Sequence, residues 1–143
     1  MNNVVGKINK AKLDERVQVA RENAQNLESQ EAIDNILAFI ENNPNHSYYS
    51  IVKLLEACGS TNLESLMSAV LYLSSKNIKI FSLQFCYFPK DSEDTIEISP
   101  ESYFEAKKHG LPPVDRRGNE LTDFDTNRLG FTCFIHSELR TNE

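Results

Sequence analysis

The sequence predicts an α+β fold in which N-terminal helices are followed by a small antiparallel β-hairpin or sheet. Apolar residues recur at helical spacing through the first half of the 143-residue chain. Between Ile78 and Phe88 the pattern changes, because Phe81, Leu83 and Phe85 alternate with polar side chains, as in a half-buried strand. Residues 95–98, with the sequence Thr-Ile-Glu-Ile, are predicted to form a short partner strand.

The first predicted helix covers residues 8–27. Its apolar residues follow steps of 4, 3, 4 and 3 and form a narrow heptad-like seam. They are Leu13, Val17, Ala20, Ala24 and Leu27. Two interpretations are open: the helix docks on its own domain, or it is an arm that joins two copies in a homodimer. The predicted organisation is an N-terminal amphipathic helix over residues 1–28 and one domain over residues 29–143.

Three more helices are predicted between residues 30 and 75, each from its boundary signals. The helix that starts at Gln30 ends before Pro44, because proline disfavours helical geometry in the residue before it. The next begins after a Ser47 cap and ends at Gly59. The third begins at a capping box from Thr61 to Glu64, in which the two side chains bond the first backbone amides. Its predicted core residues are Leu63, Leu66, Met67, Val70, Leu71 and Leu73.

The second half of the chain contains a short helix and a last strand. Ser99 is typical of a helix cap, Pro100 of the first helical position and Glu101 of an acidic first turn. This helix is predicted to end at Gly110. Residues 129–136 are predicted to form the last strand.

Composition narrows the classes of function. The net charge of −6 argues against a protein that binds mainly by coating phosphates, since such proteins need a basic face. The first residues lack the apolar run of a secretory signal, and no apolar stretch is long enough to span a bilayer. Cys58, Cys86 and Cys133 are an odd number of widely spaced cysteines, which is typical of free thiols in a reducing compartment. We therefore expect a cytoplasmic protein that does not bind membranes.

No catalytic, cofactor or metal site is predicted. Cys133 and His136 resemble a metal-binding pair, but residues three apart on a strand point to opposite faces. Residues 123–127 resemble the start of a calcium-binding loop, yet Arg128 occupies the glycine position and Phe134 that of the bidentate acid. No nucleophile motif or glycine-rich phosphate loop is present. We expect a protein that is not an enzyme and has no cofactor.

Residues 30–98 resemble a winged helix-turn-helix domain. The resemblance lies in the order, length and apolar pattern of three helices followed by a two-stranded hairpin. In that family the third helix enters the DNA major groove and the hairpin touches the backbone or minor groove. The resemblance implies DNA contacts from Asn62, Ser65, Ser68, Lys76 and Lys79.

The sequence departs from this family where DNA contact is expected. Residues 61–75, which contain the predicted third helix, include Glu64 and neither Lys nor Arg. Residues 91–105 contain six acidic residues and no basic one. They are Asp91, Glu93, Asp94, Glu97, Glu101 and Glu105. Bringing such carboxylates towards phosphates costs on the order of several kcal/mol.

The favoured hypothesis is a non-catalytic protein-interaction or regulatory module on a winged-helix-like scaffold. It binds a basic protein partner through an acidic surface, because opposite charges steer association. The predicted partner-binding residues are Asp91, Glu93, Asp94 and Glu97. Two alternatives stay open: a winged-helix DNA-binding transcriptional regulator, and a small acidic inhibitor or immunity-type protein.

Overall fold

The fold is described from a computed structural model of the chain. The structure describes residues 7–59, 62–90, 95–114, 117–118, 121 and 124–141. The chain divides into two compact units: unit 1 comprises residues 1–83 and 133–143, and unit 2 comprises residues 84–132. Unit 1 includes the N-terminal helix together with the next three. The boundary after residue 28 stays a prediction.

Within the described residues there are five α-helices and four β-strands. The helices are α1 (Lys10–Asn23), α2 (Gln30–Asn42), α3 (Ile51–Cys58), α4 (Leu63–Leu73) and α5 (Pro100–His109). The strands are β1 (Tyr48–Tyr49), β2 (Phe81–Tyr87), β3 (Ile96–Glu97) and β4 (Leu129–Ile135), and they hydrogen-bond in the order β1-β4-β2-β3. Helices mostly precede strands, and the predicted α+β class is confirmed.

Helix α2 is the centre of the helical part of unit 1 and packs against α1, α3 and α4. Its apolar stripe is buried along the whole helix, as its periodicity predicts. The buried residues are Ala32, Ile33, Ile36, Leu37 and Ile40. Complete burial of an Ile or Leu side chain contributes about 1.5–3 kcal/mol, so this stripe is a main source of stability for unit 1.

The seam of α1 is buried inside unit 1. The four seam residues from Leu13 to Ala24 are at most 2% exposed, whereas Leu27, beyond the helix end, is 42% exposed. The Tyr72 hydroxyl of α4 donates to the Ala20 carbonyl at 2.7 Å and fixes this packing. Docking of α1 on its own unit is therefore what the structure contains, and a homodimer through α1 stays a prediction.

Two predicted helix caps are corrected by one to three residues. Helix α3 is capped by Ser50, which accepts from the Lys53 amide, and not by Ser47. The start is later because Tyr48 and Tyr49 form β1, which pairs antiparallel with β4. Helix α4 is capped by Asn62; Thr61, the predicted cap, lies outside the described residues.

Two core predictions on α4 are wrong. Leu63 and Leu71 are 53% and 41% exposed, whereas Leu66, Val70 and Leu73 are fully buried. This helix is apolar almost all round, so its periodicity does not identify the buried face.

In unit 2 the predicted hairpin and short helix are confirmed. Strands β2 and β3 pair antiparallel, with Cys86 opposite Glu97. The Ser99 side chain caps α5 by accepting from the Ser102 amide at 3.1 Å, and the helix ends at Gly110, whose φ of 68° suits glycine.

Candidate functional site

The N-terminal half of α4 lines a polar cleft on unit 1. The cleft has a volume of about 310 Å³. Its lining residues are Glu28, Ser29, Asn62, Glu64, Ser65 and Ser68. We call this feature the α4 cleft. The described residues that line it supply two carboxylates, three hydroxyls and one amide, and none of these six side chains is cationic.

The local sequence explains why these side chains share one side of the helix. The Asn62 Oδ1 atom accepts from the amides of Glu64 at 2.9 Å and Ser65 at 3.3 Å, which fixes where α4 begins. Glu64 in the first turn also suits the positive end of the helix dipole. Ser65 and Ser68 follow at three-residue steps, which places them on one side of the helix.

An apolar row runs along α4 beside the cleft. Leu63, Met67 and Leu71 are spaced four apart, so they are neighbours on the helix surface. The two leucines are the exposed residues identified above, and Met67 is half-buried. Together with Glu64 and Ser68 they form what we call the α4 surface. Exposed apolar side chains that are rimmed by polar residues are typical of surfaces that bind other proteins.

Only three of the five residues implied in DNA binding are brought together. Asn62, Ser65 and Ser68 line the α4 cleft, where they lie with two carboxylates. Lys76 is exposed in the turn after α4 and does not line the cleft. The Lys79 Nζ atom lies 3.3 Å from a Glu138 carboxylate oxygen, so its charge is already paired.

The predicted acidic binding surface falls mostly on residues that are not described. Asp91, Glu93 and Asp94 lie outside the described residues, while Glu97 is half-buried in β3 opposite Cys86. Burial, and next the charge of Glu97, raise the pKa of the Cys86 thiol to about 11. The partner-binding role of these four acidic residues stays a prediction.

The cysteine and histidine at the end of β4 have separate surroundings. Cys133 is fully buried, and burial raises the pKa of its thiol far above the ordinary value. The His136 Nδ1 atom accepts a hydrogen bond from the Glu138 amide at 3.1 Å. A buried, protonated thiol is a poor nucleophile and a poor metal ligand.

Sequence reasoning missed Glu28 and Ser29, the half of the cleft that does not belong to α4. They lie in the connection between α1 and α2, where no local motif marks them. Their position opposite α4 depends on how α2 packs against α4, which is a tertiary property. The α4 side of the cleft did carry signals: Glu64 belongs to the predicted capping box, and the winged-helix resemblance implies contacts from Asn62, Ser65 and Ser68.

Neither the described residues nor the comparisons with known proteins identify a ligand class or a family. Among the residues that the structure describes, no three His, Cys, Asp or Glu side chains are grouped to hold a metal ion. None of the helices in the described ranges combines the length and apolar character needed to cross a bilayer. No protein-family model matches the sequence, no curated protein matches it, and no solved structure matches it.

Proposed function

We propose that the protein is a non-catalytic protein-interaction or regulatory module that binds a basic partner. In this proposal the partner contacts the α4 surface and places cationic side chains in the α4 cleft. The observation that carries it is the composition of this site. Glu28 and Glu64 lie in the cleft, beside an exposed leucine row on a helix that contains neither Lys nor Arg.

The helical arrangement supports a winged-helix-like scaffold for this module. Helices α2, α3 and α4 pack on one another and are followed by antiparallel strands. In the resemblance to winged helix-turn-helix domains, α4 corresponds to the third helix, which contacts DNA in that family. We propose that this exposed helix is again the contact element, but that it binds a basic protein partner instead of DNA.

The carboxylates and the leucines are expected to contribute different amounts of free energy to binding. An exposed ion pair contributes about 0.2–1 kcal/mol, so Glu28 and Glu64 affect mainly the association rate and its salt dependence. Burial of a leucine side chain contributes about 1.5–3 kcal/mol. Since Leu63 and Leu71 are only half exposed in the free protein, they gain part of that amount. The leucines therefore supply most of the affinity.

The DNA-binding alternative is less well supported. A duplex docked on α4 would bring its phosphates towards Glu28 and Glu64, and Lys79 would have to leave Glu138 to reach it. The electrostatic term that dominates DNA affinity is then absent or adverse.

An inhibitor or immunity-type protein differs from our proposal only in its partner. We place the module in the cytoplasm, which suits three buried cysteines that form no disulfide.

Selection of binding peptides from a random displayed library tests the proposal with the full chain as bait. We expect selected peptides to combine Lys or Arg with apolar residues. The variant Glu28→Gln/Glu64→Gln should weaken their binding several-fold and flatten its salt dependence, while Leu63→Ser/Leu71→Ser should weaken it by more than about tenfold. The control variant Glu15→Gln/Glu22→Gln alters two exposed carboxylates of α1 and should bind as the wild type does.

Two results would contradict the proposal. One is that the selected peptides carry no positive charge, or that they bind the Glu28→Gln/Glu64→Gln and Leu63→Ser/Leu71→Ser variants as tightly as the wild type. The other is nanomolar, sequence-selective binding of duplex DNA at physiological salt, which would favour the winged-helix DNA-binding regulator.

A further inference from the structure

The C-terminal segment of the described chain holds the start of α1. The Asn9 amide donates to the Leu139 carbonyl at 2.7 Å, and the Thr141 amide donates to the Lys7 carbonyl at 2.6 Å. Between these bonds Ile8 and Arg140 form an antiparallel bridge. We call residues 7–9 and 136–141 the terminal clasp. Both segments belong to unit 1.

A cluster of charged side chains connects the terminal clasp to α1. The Glu138 carboxylate contacts Arg16 at 2.7 Å through one oxygen and Lys79 at 3.3 Å through the other. Arg16 also donates to the Lys79 carbonyl at 2.8 Å. The hydrogen bonds from Arg16 and Lys79 lower the pKa of Glu138 to about 2, so this carboxylate stays ionised in mildly acidic solution.

A hydrogen bond inside the clasp depends on the protonation state of His136. Its Nδ1 atom accepts from the Glu138 amide and thereby caps the short 3₁₀ helix Ser137–Leu139. An imidazole accepts a hydrogen bond at Nδ1 only while that nitrogen is unprotonated. The capping bond therefore requires a deprotonated Nδ1.

The charged groups around His136 come from three elements of unit 1. Burial lowers the pKa of His136, and the charges of Arg16, Lys79 and Arg140 lower it as well, whereas Glu138 acts in the opposite direction. A released His136 has the ordinary pKa of about 6.5 and so binds protons more readily than the clasped one. The clasp is therefore most stable above that pH and weakens as pH falls through it.

We propose that the terminal clasp is an acid-sensitive latch operated by His136. Protonation removes the cap of the 3₁₀ helix and adds a positive charge among Arg16, Lys79 and Arg140. The start of α1 then detaches from residues 136–141. Helices α2, α3 and α4 stay folded, because their buried apolar residues do not titrate.

Amide hydrogen exchange of the full chain, followed by mass spectrometry, tests the latch. Exchange is measured at about pH 7.5 and about pH 5, on either side of the ordinary histidine pKa, and is normalised to intrinsic rates. We expect residues 8–16 and 138–141 to lose protection at the lower pH by at most about thirtyfold, because pH 5 lies about 1.5 units below the ordinary histidine pKa of about 6.5. Protection of α2 should change little.

The matched variants separate titration from packing. In His136→Asn the side-chain oxygen accepts from the Glu138 amide without titrating, so protection should become independent of pH. His109→Asn alters an exposed histidine of α5 in unit 2 and should leave the response of the wild type unchanged.

Identical pH dependence in the wild type and His136→Asn would overturn the latch, and so would simultaneous loss of protection in α2. If His136→Asn does not fold, an NMR titration of the wild type decides. The Asn9 and Thr141 amide signals should shift with the pH midpoint of the His136 ring, and shifts that do not follow that midpoint would also overturn the proposal.

Discussion

Asn62 determines where the candidate binding helix begins. Its side chain satisfies two amides that have no partner inside α4, those of Glu64 and Ser65. Loss of such a cap costs about 0.5–2 kcal/mol. We therefore expect Asn62→Ala to lower the free energy of unfolding by about 1 kcal/mol in urea titrations followed by circular dichroism.

Two control variants make the cap prediction specific. Ser68→Ala changes an exposed residue farther along α4 and should alter the free energy of unfolding by less than about 0.5 kcal/mol. Thr61→Ala tests the cap that the sequence motif indicates. A loss for Thr61→Ala without a loss for Asn62→Ala would mean that the capping box operates and that Asn62 does not cap the helix.

The three cysteines are expected to be inert in the folded protein. Cys58, Cys86 and Cys133 are 2%, 1% and 0% exposed. The thiolate is the reactive form, and burial raises the pKa of Cys86 to about 11, so little thiolate exists near neutral pH. We expect labelling by a thiol reagent at about pH 8, below the ordinary cysteine pKa of about 8.5, to be slow until denaturant is added.

The pH dependence of labelling provides the check. Because the pKa of Cys86 is raised, its labelling in native protein should increase as pH rises towards 11 and stay low at the ordinary cysteine pKa. Rapid labelling of native protein at neutral pH, located to Cys86 by mass spectrometry, would contradict the burial that the structure gives this residue.

At the scale of the elements, those defined by local signals were predicted best. Helix α5 has its cap, its proline and its terminal glycine within one short segment, and α2 has a wide stripe of apolar residues. Strand β1 contains only two residues and is defined by its pairing with β4, far along the chain. No local pattern indicates such a strand. The sequence therefore predicts that Ser47 caps α3, whereas Ser50 is the cap in the structure.

The candidate site was predictable in its helical half only. The spacing of Asn62, Ser65 and Ser68 places them on one side of a helix, and this depends only on helix geometry. The exposure of Leu63 and Leu71 was not predictable, since the apolar residues of α4 extend well beyond its buried face and its neighbours decide which are covered.

At the scale of the molecule, unit 1 is completed by a distant part of the chain. Its helices come from the first half, whereas the end of β4 and residues 136–141 of the terminal clasp come from the last part of the chain. The described contacts between Lys7 and Thr141, and between Arg16 and Glu138, have nearly maximal sequence separation. Such contacts are slow to form, so we infer that docking of the α1 start is a late step in folding.

The seam of α1 provides a test of oligomeric state through matched leucines. Leu13 is 2% exposed and Leu27 is 42% exposed, although both fit the same heptad-like pattern. Docking within one chain predicts that Leu13→Ala lowers the free energy of unfolding by about 2–5 kcal/mol at every protein concentration, because a buried leucine is lost. Leu27→Ala should cost far less, since its side chain is already about half exposed. If α1 instead joined two copies, stability would rise with protein concentration, and both variants would reduce that dependence. Urea unfolding of the wild type and both variants over a wide range of concentration, with sedimentation equilibrium, distinguishes the two arrangements.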